Sequence, residues 1–127
     1  KAASYASIEA LLQRLESKYD WQGVYEGGHL IGLVGPDSSV TLEPGGQMEL
    51  SGRLCPDIHC CQGDFSTYIA QLLEETASLD LALLGMGSQP FSRLEEIEWV
   101  PKSRYDVMGP YMLRTGDMGQ RMMKQTA

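Results

Sequence analysis

Three oxygen-bearing side chains stand close together in the run Leu42-Glu43-Pro44-Gly45-Gly46-Gln47-Met48-Glu49-Leu50-Ser51-Gly52. They are the carboxylates of Glu43 and Glu49 and the carboxamide of Gln47. In an extended chain, side chains of equal parity share a face. Glu43, Gln47 and Glu49 then fall on one face, and Leu42, Met48 and Leu50 on the other. The apolar face can pack. The polar face offers oxygen ligands around a Gly-Gly step, where the backbone can bend and come close to a ligand. Such a set suits a hard cation such as Mg²⁺, which takes a few carboxylates and leaves positions open for phosphate oxygens. By pattern alone the same residues also read as the solvated face of a hairpin.

The elements that must carry this run read as an α+β chain with a mainly antiparallel sheet. Residues 7–19 have apolar positions at Ile8, Leu11, Leu12, Leu15 and Tyr19, which is helical spacing, with Ser7 as N-cap. Residues 29–34 and 39–42 are β-rich and flank the turn signal Gly35-Pro36-Asp37-Ser38. The run 43–51 extends the second strand of that hairpin. Pro56-Asp57 opens a helix whose stripe runs from Ile58 through Phe65, Tyr68 and Leu72. Residues 79–86 read as a buried strand and 88–102 as a loop with a solvated acidic cluster. Short helices follow at 104–113, interrupted at Gly109-Pro110, and at 119–125. Nothing in 1–127 reads as a linker, so the chain is expected to be a single domain.

Composition narrows the function classes. Hydrophobic residues make up 43%, enough for a core and too many for a disordered segment. A net charge of −7 argues against nucleic acid and anionic membranes as partners, since both recruit basic patches. No apolar run reaches the length of a membrane span, and no apolar core follows Lys1-Ala2-Ala3-Ser4 as in a signal peptide. These features lead to the expectation of a cytoplasmic protein. Cys55, Cys60 and Cys61 are an odd count, so a closed disulfide framework is not expected. With His59 they offer four soft ligands, but zinc sites draw ligand pairs from separated segments. Buried or half-buried thiols are the expectation.

Further blocks follow the first. They are Gly87-Ser88-Gln89-Pro90, Val100-Pro101-Lys102-Ser103-Arg104-Tyr105-Asp106-Val107-Met108, and Met122-Met123-Lys124-Gln125-Thr126. Together they resemble the plant and proteobacterial type of glutamate–cysteine ligase. That family carries a Leu-Glu-Pro-Gly-Gly-Gln-Phe-Glu-Leu-Ser-Gly block, matched at 42–52 with Met48 in the aromatic slot. Its Leu-His pair is approximated by Ile58-His59, and its Gly-Phe-Gln-Pro, Met-Pro-Lys-x-Arg-Tyr-x-x-Met and Met-Met-x-x-Thr blocks match the three segments above. Two features of the family have no counterpart here: an N-terminal strand with closely spaced glutamates, and a long C-terminal half beyond Thr126. Gln125 stands where many members carry Arg.

The resemblance implies part of a glutamine-synthetase-like catalytic domain, with helices packed on one side of a curved sheet. It implies an ATP-dependent, Mg²⁺-dependent ligation of glutamate to cysteine through a γ-glutamyl phosphate, the first step of glutathione biosynthesis. In that reading Glu43, Gln47 and Glu49 hold the metal. Arg104 is the catalytic cation, a fork-shaped donor able to grip a carboxylate or phosphate in two places. Gln89, Tyr105 and Thr126 join Arg104 in binding substrate. A related ligase with another amine acceptor, and a partial chain that binds without turnover, stay open. Unpaired sheet edges make a complementing chain or a homodimer the expected partner.

Overall fold

Ser4, three residues ahead of the expected cap, starts the first helix in the computed structural model, which describes residues 1–116 and 118–126. Asp117 and Ala127 lie outside the described residues. The Ser4 backbone is extended and its hydroxyl accepts from the Ser7 amide at 3.2 Å, satisfying a donor the first turn leaves free. Helix α1 (Tyr5–Lys18) buries the expected stripe Ile8, Leu11, Leu12 and Leu15.

Four strands follow: β1 (Gln22–Glu26), β2 (His29–Val34), β3 (Ser39–Leu42) and β4 (Met48–Ser51). They pair antiparallel in chain order, a meander with β1 and β4 at its edges. The expected hairpin at 35–38 is present, flanked by two more. Gly27 and Gly28 turn β1 into β2 with φ of 59° and 85°, the double left-handed conformation of a type I′ turn. The third hairpin corrects the reading of 43–51 as one strand. The Glu43 amide donates to the Gln47 carbonyl and the Gly46 amide to the Glu43 carbonyl, both at 2.9 Å, so the chain reverses and Met48 pairs with Leu42. Pro44 and a left-handed Gly46 favour a turn over a continued strand.

Pairing register separates the two faces of the sheet. Val24, Gly32, Thr41 and Glu49 form one cross-strand row; Gly23, Leu33, Val40 and Leu50 form the next. A register shift pairs Tyr25 with Leu30, leaving Ile31 as an extra residue. That bulge brings Leu30 to the same side as Leu33, and both are fully buried with Val40 and Leu42 against α1. Val24, Thr41 and Glu49 occupy the opposite, open face and are exposed.

Helix α2 (Ile58–Thr76) is capped by Asp57, whose carboxylate accepts from the Cys60 amide at 2.9 Å. Only its C-terminal half joins the core, through Tyr68 and Leu72; Ile58 and Phe65 remain exposed. Residues 79–86, expected as a strand, are irregular. Leu79 and Leu81 donate back to the Thr76 carbonyl, and Asp80 turns the chain at φ 54°. The run pairs with no described strand, although 82–85 share a cleft with the edge strand β4. The expected break at Gly109-Pro110 is also absent: α3 (Ser103–Thr115) continues through Pro110. Pro110 costs α3 one amide donor without ending it, and the preceding Gly109 packs against the Trp99 ring. Helix α4 (Gly119–Gln125) falls where the spacing placed it. Cys55 and Cys60 form a disulfide, contrary to the expectation of thiols, because the loop into α2 brings their Cα atoms to 5.6 Å. Cys61 is free and exposed.

Between α1 and α2 lies a buried carboxylate. Glu75 is inaccessible to solvent and accepts from Lys18 Nζ at 2.7 Å, Arg14 Nη1 at 3.4 Å and Tyr19 Oη at 3.3 Å. The Lys18 hydrogen bond holds Glu75 below its ordinary value of 4.5, and the same bond holds Lys18 above 10.5. The Glu75 contribution is complete above pH 4.5 and is lost as pH falls through its lowered folded value; the Lys18 contribution is complete below pH 10.5 and is lost above it. Thermal melts across pH should therefore show a plateau with an acid fall. Glu75→Gln should lower the plateau and flatten that fall. An unchanged acid slope in the variant would assign it to other carboxylates.

Candidate functional site

The β3–β4 turn is where the separate sequence blocks meet. Pro44 is buried and its carbonyl accepts from the Val100 amide at 3.0 Å. Gln47 Nε2 donates to the carbonyls of Lys124 at 3.0 Å and Thr126 at 2.7 Å. Lys102 Nζ donates to the Leu42 carbonyl at 2.6 Å. Gly45 packs so closely on the Lys124 carbonyl that a Cβ would collide with it. Residues 42–47 thus form a hub that gathers the segments at 99–105 and 122–126.

One group of site residues lies at the end of the open sheet face. Arg104 Nη2 donates to Tyr105 Oη at 2.8 Å, and its guanidinium carbon stands 4.8 Å from the Tyr105 ring centroid. Tyr105 is itself buried against Trp99, with ring centroids 6.1 Å apart. The aromatic pair is a platform that fixes the guanidinium plane while its outer edge stays in solvent. The Tyr105 hydrogen bond raises the Arg104 pKa, and Glu43 and Glu26 add to the effect. Burial pulls Lys102 below the usual lysine range, and the charge on Arg104 lowers it further; Glu43 and Glu26 oppose both.

Glu26 is a candidate site residue that sequence reasoning missed. Its carboxylate accepts from the Ser103 amide at 2.6 Å, at the positive N-terminal end of α3. That bond to Ser103, then Lys102 and Arg104, holds Glu26 below the usual carboxylate range. The only available signal was the Glu-Gly-Gly-His turn, which marks the end of β1. Alternation places Glu26 with Val24, and Glu43 with Thr41, on the face that also carries Glu49. The open face therefore presents three carboxylates and, at one end, two cations. Among the described residues the three do not converge within reach of a single ion.

The second group is separate. Gln89 Oε1 accepts from the amides of Phe91 at 2.6 Å and Ser92 at 2.8 Å, so its carboxamide organises its own turn. Its main-chain amide donates to the Gln125 carbonyl at 2.8 Å. Ser88 bridges to Thr126, whose hydroxyl donates to the Met122 carbonyl at 2.6 Å. Gln89, Thr126 and Arg121 line one cleft of about 410 Å³. Gln47 stands between the groups with both amide hydrogens spent on carbonyls; its Oε1 is buried and has no hydrogen-bond partner. Its two amide hydrogens tie the hub together, while Oε1 keeps its acceptor capacity unused.

A family model described as Glutamate-cysteine ligase family 2 matches residues 2–127. This chain belongs to that family. The chloroplastic glutamate–cysteine ligase of Brassica juncea is 38% identical over 96% of the chain, and that of Arabidopsis thaliana 37% over 96%. Glutamate–cysteine ligase A of Oryza sativa subsp. japonica, also chloroplastic, is 34% identical over 96%. The chain spans 24%, 23% and 25% of these three relatives, about a quarter of their length. The expectation of a cytoplasmic protein does not stand, because these relatives are named chloroplastic. Among the described residues no helix is long and apolar enough to cross a membrane. In this family member the hub is where the separate sequence blocks meet in space: the turn, the Lys102-Ser103-Arg104-Tyr105 segment and the α4 end interlock.

Proposed function

We propose that this chain forms part of the catalytic domain of an ATP-dependent ligase that joins glutamate to cysteine. One observation carries the reading. The chain belongs to the glutamate–cysteine ligase family, and its open sheet face carries Glu49 and Glu43, with Glu43 and Glu26 close enough to act on an Arg104 cradled by Tyr105. Activation makes the γ-carboxylate of glutamate an acyl phosphate, with ADP leaving; the cysteine amine then attacks the acyl carbon and phosphate leaves. Both steps concentrate negative charge, which must be met by cations in a fixed geometry. The residues fit Mg²⁺, which is held through one or two carboxylates and keeps its other positions for water and phosphate. Glu43 and Glu49 supply such oxygens, and Mg²⁺ when bound supplies charge neutralisation. Gln47 fixes the turn that carries Glu43 through its amide group, and its unpartnered Oε1 is the third oxygen of the block.

Arg104 grips a substrate carboxylate or phosphate, Tyr105 fixes the orientation of its planar fork, and Gln89 and Thr126 line the neighbouring cleft where a neutral contact orients an amino acid. Because the three carboxylates do not converge among the described residues, the isolated chain binds without turning over. The open edges at β1 and β4 are the places where a complementing chain or a second copy completes a glutamine-synthetase-like sheet.

Calorimetric titration of glutamate into the chain, with and without Mg²⁺-ATP, tests this assignment. Saturable binding that needs Mg²⁺ and is lost in both Arg104→Ala and Glu49→Gln is the expected outcome. Binding that both variants retain, or none at all by a folded chain, removes the site from these residues.

A further inference from the structure

Past the end of β4, at the start of α2, three ligand atoms of mixed softness come together. The sulfurs of Cys55 and Cys60 and a carboxylate oxygen of Asp64 all lie within 4.8 Å of one another. The local sequence dictates this. Cys60 and Asp64 are four residues apart on α2 and share a helix face. Asp57 pins the first turn through the Cys60 amide, and the loop ahead of that cap delivers Cys55. Asp64 Oδ2 stands 3.7 Å from Cys55 Sγ. Arg53 holds the same carboxylate from outside, Nε to Oδ2 at 2.9 Å and Nη2 to Oδ1 at 3.0 Å. All three ligand residues are half-buried, and a cleft of about 240 Å³ beside Arg53 and Asp64 leaves a way in from solvent.

We propose that, once the Cys55–Cys60 disulfide is reduced, Cys55, Cys60 and Asp64 bind one thiophilic divalent cation of the Zn²⁺ class, with water in the fourth position. Reduction by an external dithiol breaks the S–S bond and leaves two thiols and the oxidised dithiol. Cation binding then releases both thiol protons and forms two metal–sulfur bonds and one metal–oxygen bond. Two thiolates with one carboxylate select a borderline-soft ion over Mg²⁺, whose preference is for hard oxygen. Three protein ligands with an open position are sufficient for a four-coordinate site. Arg53 is the outer-shell partner: it orients Asp64 and offsets part of the ligand charge. Re-oxidation withdraws both sulfurs at once, so occupancy and disulfide exclude each other. The site is independent of the ligase reading, since it shares no residue with the open face.

The test is titration of Cd²⁺, then of Zn²⁺ against a chromogenic chelator, into the chain reduced with a phosphine and freed of excess reductant. One equivalent should bind with a thiolate-to-metal absorption band. The band should be absent from the oxidised chain and lost in Cys60→Ser. Asp64→Asn should bind at least about tenfold more weakly, since even outer-shell partners are worth 10–100-fold. Cys61→Ser should bind as the parent does. Cys55→Ser, in the loop ahead of the helix, serves as the thiol probe if Cys60→Ser loses helicity. No band in the reduced parent overturns the proposal. So does a band that survives loss of either paired cysteine, indifference to Asp64→Asn, or a band abolished by Cys61→Ser.

Discussion

On the proposed ligase function, Arg104→Ala, assayed with the complementing chain present, is expected to lower kcat/KM by about 10²-fold or more. The guanidinium is the exposed cation of the site and its plane is set by the Tyr105 hydroxyl at 2.8 Å and the ring beneath it. A bidentate contact to a substrate carboxylate or phosphate makes two charge-assisted hydrogen bonds, each worth about 1.5–3 kcal/mol. About 3 kcal/mol corresponds to roughly 10²-fold. Arg104→Lys should recover little, because an ammonium neither forks nor stacks. Tyr105→Phe keeps the platform and removes only the hydroxyl, so its loss should be smaller, about tenfold, and its stability close to the parent's. Steady-state kinetics with glutamate, cysteine and ATP varied in turn would show which substrate the fork grips. An Arg104→Ala enzyme within about twofold of the parent would assign the fork to the fold instead.

Leu12→Ala should be the most damaging single truncation of the core. Leu12 is fully buried in the cluster that joins α1 to the sheet, with Leu15, Leu30, Leu33, Val40 and Leu42 around it. Such leucine truncations cost about 2–5 kcal/mol, part lost transfer energy and part cavity. Domains of this kind carry only about 5–15 kcal/mol in total. A fall in melting temperature of about 10 °C or more is expected, with a matching shift of the urea midpoint at unchanged slope. Leu73→Ala, at an exposed position on α2, is the control and should change little. A loss below about 1 kcal/mol for Leu12→Ala would mean that the helix–sheet interface is not where the stability resides.

Much of the architecture was already legible along the chain. The stripe of α1, the hairpin at 35–38, the Asp57 start of α2 and the position of α4 all rest on local signals: periodicity, turn residues and caps. The two clearest misreadings share one cause. Residues 79–86 alternate like a strand, and 43–51 alternate like the continuation of one. A strand exists only where a neighbour accepts its backbone bonds, and parity along one segment carries no information about that neighbour. The first run pairs with no strand among the described residues, even though β4 leaves an edge beside it. The second reversed on Pro44 and Gly46 and paired with β3. The Cys55–Cys60 bond was missed for a related reason, since residue counting cannot see a loop folding back on the first turn of a helix.

By itself the sequence determined the residue chemistry of the site: Glu43, Gln47 and Glu49 in one block, Lys102, Arg104 and Tyr105 in another, and an order of blocks that marks the ligase family. Tertiary structure alone decided which of these groups face one another. It placed Glu26, from a strand with no motif, against the α3 N-terminus beside Arg104, and turned Gln47 inward onto the α4 carbonyls. It also put Gln89 and Thr126 in a cleft of their own. Residue type sets what a side chain can bind, and that is local. Which partner it meets depends on strand register and helix docking, which are settled by burial of the Leu12–Leu33–Leu42 core across segments far apart in the chain.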